Sequence, residues 1–400
     1  MAKRILIFTN HFYPEQFKIN EIVTWLAKEG YEVRVITGYP NYPQGKFYHK
    51  STFESKAFKN ISINRLLLIP RGNGNILMLF LNYLSYFFSA FIFTIYIAIF
   101  KKKYDNIFVH HTSPFLIAIH PIIYSLFHKS IKKFIWDLDL WPESLEAIGV
   151  IKDKKTLFII EGCVKFIYSF YDKVLVGSKS FEKIIKKRFN KEIIYFPNWA
   201  EEEIEENILF SDIKISYPKN KFIITYTGNI GQAQGFEKLT QTINYLKNEN
   251  ILWVFIGGGR YKKKFRELID KKNLSHQCIF QNQVPVKQIP SFINKSDAVF
   301  ISLAKKEIFS KTVPAKLQTY LALGKPIIGV LDGEAADIIN KSKSGIIQKN
   351  HNYKELAYKI LDFIKLSEDD LNKMGINAKK FYFKNYTRKL RKAQILNLFS

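Results

Sequence analysis

The residues best suited to hold a phosphate-bearing ligand lie between Glu307 and Asp332. Glu307-Ile308-Phe309-Ser310-Lys311-Thr312-Val313 reads as a polar loop, with Pro314 where a helix can begin. The spacing predicts a helix over Ala315–Leu323, closed by Gly324 and followed by Pro326. Proline just inside a helix start and glycine just past its end is the expected asymmetry. The hydroxyls of Ser310 and Thr312 and the ammonium of Lys311 precede that start, and Lys316 adds a charge in the first turn. Free N–H groups and the positive end of the helix dipole attract anionic oxygens there. An ordinary βα loop with a capped helix has the same pattern, so the stretch gains weight only from its neighbours.

Two glycine loops supply them. Gly228-Asn229-Ile230-Gly231 and Gly257-Gly258-Gly259-Arg260 each follow an apolar run and precede a helical pattern, so backbone amides can approach a diphosphate closely. Two such loops in consecutive βα units, together with the helix after Pro314, point to a nucleoside diphosphate. Neither is a P-loop, because no Gly-Lys-Ser/Thr follows at the required spacing.

The first half offers proton-transfer and hydrogen-bonding groups. His110-His111-Thr112-Ser113-Pro114 ends a strand, where a histidine suits proton transfer or a bond to a sugar hydroxyl, and His11 is placed similarly in the first loop. Asp137-Leu138-Asp139 invites Mg²⁺ binding, but no further acid or histidine lies near enough in sequence to complete a site. Asp139, followed by Leu140-Trp141-Pro142-Glu143, reads better as a cleft residue contacting acceptor hydroxyls or acting as base. No Gly-x-Ser-x-Gly elbow or His-Glu-x-x-His helix appears, so hydrolase readings lack a nucleophile or a metal. Cys163 and Cys278, far apart and without a CxxC partner, read as reduced buried thiols.

The elements that must position these groups alternate short apolar β-rich runs with helical patterns, which argues for α/β architecture with parallel sheets. Strands are expected at 3–9, 32–37, 61–69, 104–110, 133–138, 173–177 and 193–196. A second set is expected at 221–227, 251–256, 278–282, 297–303 and 326–330. Helical spacing marks 17–29, 236–248 and 355–364. Pro197-Asn198-Trp199, an acidic stretch from Glu201 to Glu206 and Ser216-Tyr217-Pro218 place a linker near 198–218. The expectation is two doubly wound Rossmann-like domains, 1–200 and 215–380, facing across a cleft, with 381–400 packing back on the first. Segment 76–100 interrupts the regularity with 25 residues and no charge, followed by Lys101-Lys102-Lys103. It is long enough to span a bilayer. Spanning would tear one sheet apart, so a helix lying in the membrane interface, with a buried core helix as the alternative, fits better.

The formal net charge of +26 excludes little by itself. The lysines are scattered rather than gathered in a stripe with stacking aromatics, which argues against nucleic acid. An anionic membrane surface and a general bias towards Lys, Ile, Asn, Phe and Tyr both account for it and are compatible. No secretory leader opens the chain, since Lys3–Thr9 reads as a first strand, and the expected place is the cytoplasmic face of a membrane.

Taken together, these residues resemble the family 4 retaining glycosyltransferases, and within them the N-acetyl-L-fucosaminyl transferases of bacterial O-antigen and capsule assembly. The resemblance runs over nearly the whole chain. Its markers in the first half are His11-Phe12-Tyr13-Pro14-Glu15-Gln16-Phe17, Thr37-Gly38-Tyr39-Pro40-Asn41-Tyr42-Pro43-Gln44-Gly45 and Asp139-Leu140-Trp141-Pro142-Glu143-Ser144. In the second half they are Tyr195-Phe196-Pro197-Asn198-Trp199, Thr227 to Gly235, and Phe309 to Gly333. The resemblance implies a GT-B fold, retention of configuration without metal or cofactor, a UDP-sugar donor held mostly by the second domain, and a polyprenyl-diphosphate-linked acceptor. Donor contacts would come from Gly228, Asn229, Gly231, Gly258 and Arg260, and from Val284 after the third strand of that domain. Ser310, Lys311, Thr312, Pro314, Lys316 and Thr319 would supply the rest, with His111, Asp139 and Lys316 as catalytic residues.

The sequence departs from the family's pattern. Aligned on Gly324-Lys325-Pro326, two glutamates usual in the family are Lys311 and Thr319 here, and its usual Arg and Lys fall near Asn229 and Gln234. Lys311, Lys316 and Arg260 are then the groups left to neutralise charge. Two other classes fit the same residues less fully: a GT-B nucleotide-sugar epimerase, which has no use for segment 76–100, and a non-catalytic basic membrane-binding protein.

Overall fold

A computed structural model of the chain describes residues 3–48, 59–206 and 215–400. It divides into two compact units, one of Met1–Pro197 with Lys392–Ser400, the other of Asn198–Arg391. The boundary falls at Pro197, within three residues of the expected end of the first domain. The return to the first unit begins at Lys392 rather than at 381. Two helices occupy this end, Glu368–Asn385 and Arg388–Phe399, and only the second reaches the first unit. There Phe399 packs against Phe108 and Phe134, and its carbonyl accepts from Lys3 Nζ at 2.9 Å. Of the expected linker, 207–214 lies outside the described residues, and 198–206 belongs to the second unit.

The first unit holds β1 (Arg4–Thr9), β2 (Glu32–Gly38), β3 (Ile61–Leu66), β4 (Asn106–His111), β5 (Lys132–Asp137), β6 (Lys173–Val176) and β7 (Glu192–Tyr195). They form one parallel sheet in the order β3-β2-β1-β4-β5-β6-β7. The second unit holds β8 (Phe222–Thr227), β9 (Ile251–Ile256), β10 (Cys278–Gln281), β11 (Ala298–Ser302), β12 (Ile327–Val330) and β13 (Gly345–Gln348), in the order β10-β9-β8-β11-β12-β13. Parallel strands covered by helices on both faces read as continuous apolar runs, which is why most of them are legible in the sequence. On one face of the second sheet Trp253, Phe255 and Phe300 pack with Phe236 and Phe265 from the helices. On the other, Ile223, Leu252 and Val254 pack with Phe292.

In both sheets the strand order reverses beside the first strand, between β1 and β4 and between β8 and β11. A crevice opens beyond the carboxyl ends at such a point, and ligands of doubly wound sheets bind there. The loops after β1 and β4 carry His11 and His110–Ser113; those after β8 and β11 carry Gly228–Gly231 and the approach to Pro314.

Three expectations change. Glu307–Lys311 is a short helix, not a loop. β13 is an additional edge strand. Cys163 is exposed rather than buried, while Cys278 is partly covered and burial pushes its thiol up to about 12.

The helix Ile76–Phe100 is inverted relative to a core helix. Its covered face carries Asn82, Tyr86, Ala90 and Thr94, one every four residues, with Ile97 and Ala98. Asn82 Nδ2 donates to the Ile69 carbonyl at 2.6 Å, Ser89 Oγ to Leu67 at 2.7 Å, and the Tyr86 hydroxyl to Thr9 at 3.2 Å. Ile76, Leu77, Phe80, Phe88, Ile92, Tyr96, Ile99 and Phe100 face outward and exposed. Only 17% of its most apolar window is buried, which sets aside the buried-core alternative for this helix.

Candidate functional site

At the first switch point, register decides which polar groups meet. β1 and β4 pair Thr9 with His110, and Thr9 Oγ1 lies 2.9 Å from His110 Nδ1. β4 and β5 pair His111 with Asp137, and His111 Nδ1 lies 2.8 Å from Asp137 Oδ1. The other Asp137 oxygen accepts from the Tyr168 hydroxyl. All three side chains are buried, and His111 Nε2 has no hydrogen-bond partner among the described residues. The expected catalytic His111 is therefore held inside the sheet end, with one ring nitrogen fixed by a carboxylate. Burial, reinforced by His11 and His111, lowers His110 to about 3 and keeps it neutral.

Asp139 is partly exposed and accepts from the hydroxyls of Ser113 and Ser144, while Trp141 Nε1 donates to Ser113 Oγ at 2.8 Å. Its carboxylate is oriented by two hydroxyls rather than paired with a cation. Asp137 ends β5 and is committed to His111 and Tyr168. Among the described residues no cluster of three or more His, Cys, Asp or Glu is arranged to hold a metal.

The loop after β1 carries a second histidine–carboxylate pair. His11 Nδ1 lies 2.7 Å from Glu15 Oε2, and Glu15 Oε1 accepts from the amides of Asn41 at 2.8 Å and Tyr42 at 2.6 Å. Arg71 Nη2 approaches His11 Nε2 at 3.2 Å. A guanidinium only donates, so Nε2 accepts and the ring proton sits on Nδ1, facing Glu15. Desolvation lowers His11 against the opposing pull of Glu15, which keeps the ring neutral. Glu15 and Arg71 were missed as site residues; the available signal was the spacing of Glu15, four residues after His11 in a loop.

At the second switch point, the glycine loops pack on each other. Gly257 has φ 148°, and a Cβ there would sit 2.0 Å from the Gly228 carbonyl oxygen; at Gly259, φ 139°, it would meet the Ile230 oxygen at 2.4 Å. Only glycine allows this approach. The same closeness engages three of the four amides of Gly228–Gly231, which the sequence reading offered to a diphosphate, within the protein. Gly228 N donates to Ile256 at 2.9 Å, Ile230 N to Gly258 at 2.7 Å and Gly231 N to Gln234 Oε1 at 2.9 Å. These three amides are committed to the protein.

Lys311 also turns elsewhere, its ammonium 2.6 Å from Glu307 one turn earlier. Ser310 and Thr312 hydroxyls bond back to the carbonyls of Glu307 and Ile308. Arg260 is exposed, and Val284 packs on the apolar cluster of Ile223 and Leu252. Thr319 Oγ1 lies 3.5 Å from Glu201 Oε2.

Lys316, an expected donor-site cation from the helix after Pro314, reaches the first glycine loop. Its ammonium stands 4.0 Å above the Tyr226 ring centroid and donates to the Tyr226 hydroxyl, which donates to the Asn229 carbonyl at 2.6 Å. A Cβ on Gly228 would lie 3.4 Å from Lys316 Nζ, so the ammonium abuts the loop. No carboxylate among the described residues pairs with it, and desolvation lowers its pKa from 10.5 to about 7. Pro314 is the N-cap of the helix Ala315–Leu323 and makes no side-chain cap, and first-turn amides have no acceptor within their own helix. Tyr226 was missed because a tyrosine within an apolar strand looks like core.

Comparison with known proteins adds the following. Residues 207–381 match the family model described as Glycosyl transferases group 1. The chain is 26% identical over 335 residues to a probable glycosyltransferase, WbjE of Pseudomonas aeruginosa, covering 80% of this chain and 79% of that protein. It is 26% identical over 338 residues to a putative colanic acid biosynthesis glycosyl transferase, WcaI of Escherichia coli K12, covering 80% and 81%. Its fold matches that of HepE from Anabaena, solved with UDP-glucose, with a TM-score of 0.68 over 99% of both chains at 12% identity.

Proposed function

We propose that this chain, a glycosyltransferase of the GT-B fold, moves a sugar from a nucleoside diphosphate, UDP in our reading, onto a polyprenyl-diphosphate-linked saccharide at the cytoplasmic surface of a membrane. The sugar in this reading is an N-acetylated deoxyamino sugar and the pathway is assembly of a surface polysaccharide, a reading supported by the likeness to WcaI, a putative colanic acid biosynthesis enzyme. The observation that carries the lipid acceptor is the inverted helix Ile76–Phe100. Burying a large apolar side chain is worth about 1.5–3 kcal/mol, so its outward face forgoes on the order of 10 kcal/mol in water, which a lipid interface would recover. Lys101–Lys103 at its end suit anionic headgroups.

In this reading the donor diphosphate lies against Lys316 and the first turn after Pro314. The bond from the anomeric carbon to the β-phosphate oxygen breaks, the acceptor oxygen bonds that carbon on the same face, and its proton passes to the departing phosphate oxygen. Configuration is retained and no protein nucleophile is consumed. Lys316 stabilises the charge that develops on the leaving group, commonly the largest catalytic contribution. Asp139 orients acceptor hydroxyls, and His111, with Nδ1 fixed by Asp137, holds the loop that presents Ser113.

The test is transfer by purified protein from UDP-, GDP- and dTDP-sugars to a short polyprenyl-diphosphate N-acetylhexosamine, with EDTA throughout. Transfer from a UDP-N-acetylamino sugar supports the reading. Release of free sugar or epimer regardless of acceptor would turn it towards an epimerase, and absence of turnover with every donor would contradict it.

A further inference from the structure

The arginines beside the His11–Glu15 pair are not used by the reaction above. Arg71 opens the loop into the helix Ile76–Phe100. Its guanidinium lies 5.3 Å from the ring centroids of both Tyr42 and Tyr83, the latter on that helix. Its Nη2 reaches the Tyr83 hydroxyl as well as His11, each at 3.2 Å, and its own amide is held by Asn41 Oδ1 at 3.1 Å. Arg65, at the end of β3, donates from Nη2 to the Tyr13 carbonyl at 2.6 Å. Among the described residues, Arg71 Nε and Arg65 Nη1 are buried without a hydrogen-bond partner.

Among the described residues charge there does not balance. Glu15, which accepts from His11 and two amides, is the carboxylate whose field acts on Arg65, and His11, which Arg71 approaches, is neutral. Two half-buried cations beside one carboxylate among the described residues leave an excess positive charge, which is costly unless an anion completes it. The surroundings select the kind of anion. Tyr13, Tyr39, Tyr42 and Phe47 stand exposed nearby in sequence, and Leu67, Ile69, Ile76, Leu77 and Phe80 continue the exposed apolar surface from β3 onto the helix. A guanidinium fork matches phosphate oxygens bidentately, and an apolar face about 37 Å long suits a hydrocarbon chain.

We propose that Arg71 and Arg65 seat the diphosphate of an isoprenoid-diphosphate acceptor whose hydrocarbon chain lies along the outward face of Ile76–Phe100. The proposal rests on the lipid-acceptor reading and adds the residues that would distinguish an acceptor diphosphate from bulk phospholipid. Phosphate oxygens take the open N–H groups of Arg71 and Arg65, and Tyr42 and Tyr83 keep the Arg71 fork planar and aimed. Tyr83 also ties the seat to the helix, so occupancy and lipid contact are coupled.

Full-length protein is titrated calorimetrically with farnesyl diphosphate and with farnesol, and its binding to phosphatidylglycerol–phosphatidylcholine vesicles is measured by sedimentation. The wild-type chain is expected to prefer farnesyl diphosphate to farnesol by at least tenfold. Arg71→Gln is expected to raise its Kd about tenfold or more and Arg65→Gln several-fold, with vesicle binding changed less than twofold. Arg71→Lys, which keeps the charge but loses the fork, should fall between, and it carries the test if Arg71→Gln lowers the melting temperature. Equal affinity for farnesol and the diphosphate, or an unchanged Kd in Arg71→Lys and Arg71→Gln, would overturn the seat. A parallel loss of vesicle binding would reassign it to bulk headgroups and overturn it likewise. No sugar donor enters the titration: if it succeeds while transfer fails, the transfer chemistry falls, and if transfer succeeds with an unchanged Kd, the seat falls.

Discussion

The two switch points solve opposite electrostatic problems. At the end of the first sheet, histidines are matched with carboxylates: His11 with Glu15, His111 with Asp137, and Asp139 with two hydroxyls. At the end of the second, glycines bring two loops into contact and Lys316 stands over the Tyr226 ring with no carboxylate partner among the described residues. A matched pair keeps its protonation state and arranges hydroxyls; an unmatched cation in a desolvated place waits for an anion. The matched carboxylates suit an acceptor sugar and Lys316 the donor diphosphate, while Arg71 and Arg65 are the first unit's own unmatched charge.

The largest break in that contrast comes from removing the unmatched charge. Lys316→Ala should lower kcat at saturating donor by about 10²–10³, with Lys316→Arg recovering part of it. The KM for acceptor should move far less, which steady-state kinetics with both substrates varied will show. Next is the outward face of the first unit's helix, since an acidic residue in place of an apolar one opposes insertion. The double variant Phe88→Asp, Ile92→Asp should weaken vesicle binding by about 100-fold in sedimentation, at 1–3 kcal/mol per site. Retained binding would show that the basic residues alone hold the surface.

Within the matched site the effect falls on stability. Glu15→Gln leaves two amides and a histidine around a poorer acceptor and should cost about 1–3 kcal/mol in denaturant unfolding, with UDP affinity unchanged. The smallest change concerns Lys311. Glu307 is exposed, so Glu307→Gln should shift stability by less than about 0.5 kcal/mol and leave turnover as it was. A rise in donor affinity would show that Lys311, once released, does reach the diphosphate.

Much of this arrangement was legible beforehand, and what escaped did so for identifiable reasons. Continuous apolar runs such as Ile251–Ile256 announced the strands, while β13 escaped because Gly345-Ile346-Ile347-Gln348 is four residues long at a sheet edge. The helix Glu307–Lys311 escaped for its five-residue length. The glycine loops were found, but their hydrogen bonds were not, because a glycine that approaches a ligand and one that approaches a neighbouring loop look alike in sequence. Tyr226 and Arg71 carry geometry that exists only after register brings β8 to Lys316 and the loop after β3 to His11. Lys316 itself was legible from its place in the first turn after a proline.

The central claim is that Lys316 is the charge which meets the donor diphosphate. Its pKa in the free protein, lowered to about 7 by desolvation, gives a direct readout. Against a normal value of 10.5 when unfolded, its burial costs stability below about pH 7, and the cost fades as pH rises towards 10. A bound diphosphate favours the charged amine and raises the pKa, so UDP affinity should be strongest below pH 7. It should fall up to about tenfold per unit above that, until the pKa of the bound state is reached. UDP titrated calorimetrically at pH 8, in two buffers of different ionisation enthalpy, should show uptake of nearly one proton in the wild-type chain and none in Lys316→Met. UDP binding without proton uptake, or uptake that survives Lys316→Met, would contradict the account.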